Sequence, residues 1–149
     1  RVEVGVVNAE LSKAVKPLGL FYAPDPSSQT ACTLGGNAAE NSGGPHCLKY
    51  GNTTRHVLAL EVVLPDGTRE TLGSAFGGPS GYDLRGVFIG SEGTLGIATE
   101  MTVRLCAEPE SVITLLAAFA TLDEACRAVS DLIARGVQAS AIEILDQRT

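Results

Sequence analysis

The apolar positions along this chain change period several times, and each change predicts an element. Residues 2–7 are a β-branched apolar run; Asn8, a residue type that caps helices, then stands before Leu11, Ala14, Val15 and Leu18 at helical spacing until Gly19. A strand followed by a short helix is expected. Residues 20–23 are a brief apolar run stopped by Pro24-Asp25-Pro26, which excludes helix and directs the chain into a rigid loop. From residue 27 to residue 52 the sequence is small, polar and glycine-rich, and Gly35-Gly36 and Gly43-Gly44 bracket a stretch able to hold one or two helical turns. Long loops inside compact domains are usually functional, so a ligand is expected here.

Residues 57–64 read as a nearly continuous strand, Pro65-Asp66-Gly67 as a turn, and 68–72 as the returning antiparallel partner. Residues 73–81 are a flexible stretch, and 82–88 are expected to form a short helix. Gly90-Ser91-Glu92-Gly93-Thr94-Leu95-Gly96 then makes a second glycine-rich turn before an extended run over 97–106. Ala107-Glu108-Pro109-Glu110 changes the composition and marks the expected boundary between a unit at 1–109 and a second at 110–149. In that second unit residues 112–120 read as a strand, and Thr121-Leu122-Asp123-Glu124 as a capping box. Leu122, Ala125, Cys126, Val129, Leu132 and Ile133 lie on one helical face, expected to be core, until Gly136 stops the helix. Residues 141–145 are a candidate strand, so the unit opens as β-α-β, the beginning of a ferredoxin-like cap. The chain starts inside one apolar run without Met and stops just after another, so both ends are expected to be cut.

Composition narrows the classes. The chain has 149 residues, 44% hydrophobic and 19% charged, as expected of a folded domain with a real core. A formal charge of −6 with 11 unclustered Lys and Arg argues against nucleic acid as a partner. No apolar run is long enough to span a bilayer. Four scattered cysteines without a C-x-x-C pair read as free thiols, mostly buried, in the cytoplasm. Seventeen glycines and few aromatics favour a ligand lying against main chain, because a residue without Cβ lets several N–H groups approach one phosphate or ring oxygen.

The familiar phosphate signatures are missing. No G-x-G-x-x-G follows a strand and no Walker loop occurs, so a nucleotide-like cofactor would be held in another way. A G-x-S-x-G elbow is also absent. His46, Cys47 and His56 match no zinc spacing, and no metal is expected. Loop packing is the plainer role for them; covalent attachment of a cofactor at His46 or Cys47 is the sharper alternative. Glu92 reads either as an acceptor for ribose hydroxyls or as a solvated loop acid. Asp123 and Glu124 complement the helix dipole and are not a catalytic pair.

Four segments carry a resemblance: Pro24-Asp25-Pro26-Ser27-Ser28, the stretch from Gly35 through Gly44, His46-Cys47-Leu48-Lys49-Tyr50-Gly51, and Gly90 through Ile97. Together, in order and in register over essentially the whole chain, they resemble the FAD-linked subunit of glycolate oxidase and the FAD-linked D-2-hydroxy-acid (D-lactate) dehydrogenases. The resemblance implies an α+β fold, the second lobe of a vanillyl-alcohol-oxidase-type (PCMH-type) FAD-binding domain followed by the start of a cap. It implies non-covalent FAD as cofactor. Pro24, Asp25, Ser27 and Ser28 would line the flavin end, and Thr33, Gly35, Gly36, Asn37, Asn41, Gly43 and Gly44 the ring and ribityl or phosphate region. Tyr50 and Gly51 would close that wall. Glu92, Gly93, Thr94, Leu95, Gly96 and Ile97 would meet ribose and adenine, mostly through backbone.

In that family a hydride passes from the α-carbon of a small 2-hydroxy acid to flavin N5 while a base takes the hydroxyl proton. The pyrophosphate loop lies in the first lobe, and the basic clamp and metal-binding histidines lie in later parts of the cap. Catalytic residues are therefore unassigned in this chain, and the piece alone is expected to be inert and at best a weak flavin binder. Implied partners are the 2-hydroxy acid and other oxidase subunits or an electron acceptor. The rival readings are an NADPH-dependent flavin reductase of the same fold and a non-catalytic folding or interaction module.

Overall fold

A computed structural model describes residues 1–76 and 81–146. The run at 2–7 yields only a short strand, β1 (Val2–Glu3); the chain then turns, and Val7 makes a single antiparallel bridge to Thr33. Helix α1 (Asn8–Val15) follows, continued by a 3-10 turn at Lys16–Leu18 that Gly19 ends in the left-handed region at φ 69°. Strand β2 (Leu20–Phe21) leads into the proline loop. The glycine-rich stretch holds α2 (Leu34–Glu40) and α3 (Cys47–Tyr50), the first overlapping the interval between the glycine pairs but starting ahead of it and running through Gly35-Gly36. The hairpin β3 (Val57–Val63) and β4 (Arg69–Gly73) comes next. Then come α4 (Leu84–Phe88), β5 (Ile97–Val103), β6 (Cys106–Ala107) and α5 (Leu122–Ala134). Part of the stretch expected to be flexible, residues 77–80, lies outside the described residues.

The main sheet has the order β1-β5-β3-β4 and is antiparallel throughout; β2 and β6 form a separate pair. The turn between β3 and β4 works as its residues suggest: Asp66 accepts the Thr68 amide at 2.9 Å, and Gly67 takes φ 84°. Two register shifts between β3 and β5 interrupt strict alternation, which is why β3 reads as nearly continuous apolar sequence. Leu60, Val62 and Met101 face a core completed by Tyr22, Leu34, Ala38, Phe88 and Ile89. The core therefore lies between the sheet and the two glycine-rich segments.

Asn8 corrects the sequence reading. Val7 is the N-cap of α1 and makes no side-chain cap bond. Asn8 is instead only 1% exposed; its amide donates to the Pro24 carbonyl at 3.0 Å and its oxygen accepts from Asn37 Nδ2 at 2.9 Å. One buried amide thus ties α1, the proline loop and α2 together. Cap-forming residue types are also those that satisfy buried loop backbone, and local sequence does not separate the two roles.

The region after residue 109 departs further from expectation. Helix α5 is there, with its capping box formed in both directions between Thr121 and Glu124. Its end is closed by Gly136 at φ 75°, with Val137 N donating to Leu132 O at 3.1 Å. Residues 112–120 and 141–145 are irregular rather than strands, and none of the described residues pairs with them. A strand needs a ladder partner, and an apolar run without one stays open: Leu115 is 87% and Leu116 98% exposed. The α5 face expected to be core has no buried residue for the same reason. The thiols differ as well, since Cys32, Cys47 and Cys106 are half-buried and Cys126 exposed. No helix among the described residues is long and apolar enough to cross a membrane.

Replacing Asn37 with Leu leaves Asn8 Oδ1 buried without its donor and is expected to cost about 1–3 kcal/mol, read as a shift of the denaturant midpoint at unchanged slope. Adding Asn8→Ala should cost clearly less than the sum of the two single changes. Strict additivity would show that the amide pair is not a unit.

Candidate functional site

Helix α2 is too short to satisfy many of its own end groups, and its neighbours do so. At its start Thr33 Oγ1 accepts from Gly36 N at 3.2 Å. Gly35 N donates to Val4 O at 2.8 Å, and a Cβ on Gly35 would lie 2.9 Å from that of Val4. At its end Asn41 takes the left-handed C-cap conformation, and its Oδ1 accepts from both the backbone amide and the hydroxyl of Thr54. The carbonyls of Ala38 and Ala39 accept from Gly90 N at 2.9 Å and Glu92 N at 3.0 Å. The two glycine-rich segments, more than forty residues apart in sequence, therefore meet side by side. Glu92 adopts φ 53°, a backbone state that L residues rarely hold.

The proline loop closes on the second glycine pair. His46 Nδ1 and Asp25 Oδ2 are 2.5 Å apart. Gly44 packs so tightly that an added Cβ would stand 2.2 Å from Asp25 O, and one on Gly43 would stand 2.6 Å from Cys47 Sγ. Asp25 Oδ1 and Ser91 Oγ are buried and have no hydrogen-bond partner. Pro24 is fully buried, whereas Ser27 and Ser28 are exposed in a turn whose Ser28 carbonyl accepts from Ala31 and Cys32.

Tyr50 and Gly51 stand on a buried histidine. His56 Nε2 donates to the Tyr50 carbonyl at 2.9 Å, while Nδ1 is buried without a partner and the ring lies edge-on to Tyr22. Because a carbonyl only accepts, Nε2 carries a proton. Burial pushes the His56 pKa below its ordinary 6.5, the bond to Tyr50 opposing in part and the charge of Arg104 adding to the decrease. Tyr22 is pushed far up by burial as well. The Tyr50 ring packs edge-on to Phe21 at 5.5 Å, with Lys49 Nζ 5.1 Å above it.

An added Cβ sorts the glycines. At Gly51 it would meet Arg55 Cδ at 2.3 Å and at Gly96 the Val63 carbonyl at 2.6 Å, so these two, with Gly35, Gly43 and Gly44, are required by the protein's own packing. Gly36 and Gly93 differ: the first would meet only Thr33 Oγ1 at 3.4 Å and the second nothing within 4 Å. Gly93 takes φ 76°, which favours glycine whatever the space, so of these two only Gly36 is left without a reason in the fold. The Asn37 side chain is buried and donates to Asn8 Oδ1. Thr94 bonds back to Ser91 O at 2.6 Å, while Leu95 and Ile97 are exposed at the turn. Sequence reasoning missed the Asp25–His46 pair, Asn8 and Thr54. No spacing rule joins residues so far apart, and only the tight Pro-x-Pro and Gly-Gly-Pro contexts hint that these loops are held rigidly.

Residues 1–73 match the FAD binding domain family, and residues 108–149 match the family of FAD linked oxidases, C-terminal domain. In these two parts the chain is similar to FAD-linked oxidases. It is 50% identical over 146 residues to glycolate oxidase subunit GlcD of Escherichia coli (strain K12), covering 98% of this chain and 29% of that protein. The subunit of the same name from Bacillus subtilis (strain 168) is 48% identical, with 99% and 32% covered. D-lactate dehydrogenase of Anaerostipes hadrus is 38% identical, with 99% and 31% covered. A solved structure of alkyldihydroxyacetonephosphate synthase superposes with a TM-score of 0.76 at 30% identity, over 93% of this chain and 25% of that one. The chain thus spans under a third of the length of these FAD-linked oxidase relatives.

His56 gives the site a pH signature. Its folded pKa lies below the unfolded value, so the unfolded state takes up the proton first. Stability is then full above about 6.5 and falls as the pH drops from there toward the folded value. His56→Gln, which keeps a donor for Tyr50 O but does not titrate, is expected to flatten this part of the curve when midpoints are measured between pH 7.5 and 5. An unchanged slope would assign it to other groups.

Proposed function

We propose that this chain is the second lobe of an FAD site, up to residue 109, with the opening of a cap from 110, in an enzyme that oxidises a small 2-hydroxy acid of the glycolate or D-lactate type. The observation that carries the reading is the pairing of the Ala38 and Ala39 carbonyls with the Gly90 and Glu92 amides. It joins both glycine-rich segments into one surface. The matched family beginning at residue 108, close to the composition change, supports the boundary. The names of the GlcD and D-lactate dehydrogenase relatives support the substrate class. A relative named as a subunit supports assembly with other oxidase subunits, and free thiols support the cytoplasm.

The residues present fit the cofactor. Gly36 and Gly93 offer backbone without a side chain in the way, and Asp25 Oδ1 and Ser91 Oγ are buried oxygens that lack a protein partner. Gly36, Asp25, Ser27, Ser28, Tyr50 and Gly51 would hold the flavin half, and Glu92 through Ile97 the ribose and adenine half. When bound, the flavin supplies the two-electron acceptor. This chain's part is to bind and orient it: the Asn8 bridge fixes the proline loop, His56 fixes the Tyr50 carbonyl, and the exposed Leu95 and Ile97 give a purine an apolar surface. Glu92 keeps a positive φ that a glycine at its place would hold without strain, which fits a carboxylate required for ribose hydroxyls.

The full-length protein should purify yellow, and its flavin should bleach anaerobically with glycolate or D-lactate; a folded protein that cannot be loaded with flavin would end the reading. Residue changes separate ligand from fold. Gly36→Ala in the full-length enzyme should leave the fold unchanged or more stable by about 0.5–1 kcal/mol, since alanine suits a helix better, while FAD retention falls. Glu92→Gly should likewise raise the midpoint and weaken FAD. Stability and retention moving together in both variants would mean that these positions serve the fold alone.

A further inference from the structure

We propose that His46, oriented by Asp25, is a hydrogen-bonding group for an anionic oxygen at the reacting end of the site, a role that rests on the flavin reading above. Asp25 is held from several sides. Prolines flank it, Asn8 holds the Pro24 carbonyl, and Gly44 fills the space against its backbone and carboxylate. Its Oδ2 lies 2.5 Å from His46 Nδ1, so the direction of the imidazole is fixed by a rigid loop. The His46 side chain is 45% exposed, and with Nδ1 occupied, Nε2 is the ring's remaining polar atom. His56 has the opposite arrangement, its Nε2 spent on a carbonyl and its Nδ1 enclosed, so it cannot meet a ligand.

The chemistry follows from the inventory of the two side chains. A carboxylate on Nδ1–H leaves Nε2 able to take a proton without disturbing the pair. With that proton the pair is neutral as a unit and presents one N–H outward, a donor for an anion, while Asp25 offsets the charge of the imidazolium. Two anionic oxygens would arise in such an enzyme: the carboxylate of the hydroxy acid, and the pyrimidine-side oxygen of the flavin, which gains negative charge on reduction. His46 binds and orients either one; it is not assigned the hydroxyl proton.

The test uses the full-length holoenzyme. Binding of oxalate, a non-reacting dicarboxylate, is followed by the change in flavin absorbance, and the flavin midpoint potential is measured by dye equilibration. A His46→Ala variant that still holds FAD is expected to bind oxalate at least tenfold more weakly if the partner is the substrate carboxylate. If the partner is the reduced flavin, its potential is expected to fall by at least about 30 mV, the equivalent of tenfold for two electrons. Oxalate affinity within twofold of wild type together with an unmoved potential overturns the proposal and leaves the flavin reading standing. A protein that takes up no flavin at all removes both.

Should His46→Ala not fold, diethyl pyrocarbonate on the wild-type protein decides. His46 is expected to be ethoxycarbonylated in the apoprotein and protected once flavin and oxalate are bound, while His56 reacts in neither state. Equal rates at His46 in the two states overturn the assignment.

Discussion

The last turn of a seven-residue helix has carbonyls that the helix cannot satisfy, and the site depends on where this chain finds their donors. Ala38 and Ala39 take them from Gly90 and Glu92. Without that pairing, α2 and the later glycine turn would be two separate loops on one sheet. The geometry has a cost, because Glu92 holds a positive φ where its amide meets Ala39, and such a conformation costs roughly 1 kcal/mol or more in a non-glycine residue. Asn41 contributes from the same end, taking the left-handed cap and using its side chain to fix Thr54.

A second constraint works at the other end of α2. Two nearly unexposed amide side chains, Asn8 and Asn37, hold each other and the Pro24 carbonyl, so the start of α1, the proline loop and α2 are tied together. Buried polar groups of this kind specify geometry at the expense of tolerance, since removing either partner orphans the other. The loops carrying Asp25, Gly44 and His46 inherit that restraint. Preorganisation matters wherever a surface is built largely from backbone, with few side chains to adjust after a ligand arrives.

What could be read in the sequence follows the range of the interactions. The hairpin around Asp66 and Gly67, the stop at Gly19, and the capping box and glycine end of α5 were all legible, because each is decided within a few residues. The four motifs likewise led to the family and to the meeting of the two glycine segments. The role of Asn8 was not legible, as its partners lie 16 and 29 residues away. Nor was the division among the glycines. Gly35, Gly43 and Gly44 look the same in sequence as Gly36, and only Val4, Cys47 and Asp25 reveal that they are demanded by packing. Residues 112–120 failed in the opposite direction. The pattern is that of a strand covered on both faces, but pairing is a property of two segments, and no described residue supplies the second.

The likeness to alkyldihydroxyacetonephosphate synthase sets a limit on what the backbone can decide. A protein whose name describes a synthase shares this fold over 93% of the chain, while relatives named glycolate oxidase subunit and D-lactate dehydrogenase match its sequence over 98% and 99% of it. Names so different cannot be separated by the sheet, by α2 or by the amide pairs that join the glycine segments, since a fold does not by itself fix a function. Discrimination among substrates must come from side chains that the scaffold supports but does not need. Asn8, Asn37 and His56 are consumed by the fold. Among the titratable groups beside the proline loop, His46 is the one whose removal would leave the packing of Gly44 against Asp25 in place while changing what the surface offers to a ligand. That is the physical difference between a residue that builds a site and a residue that uses it.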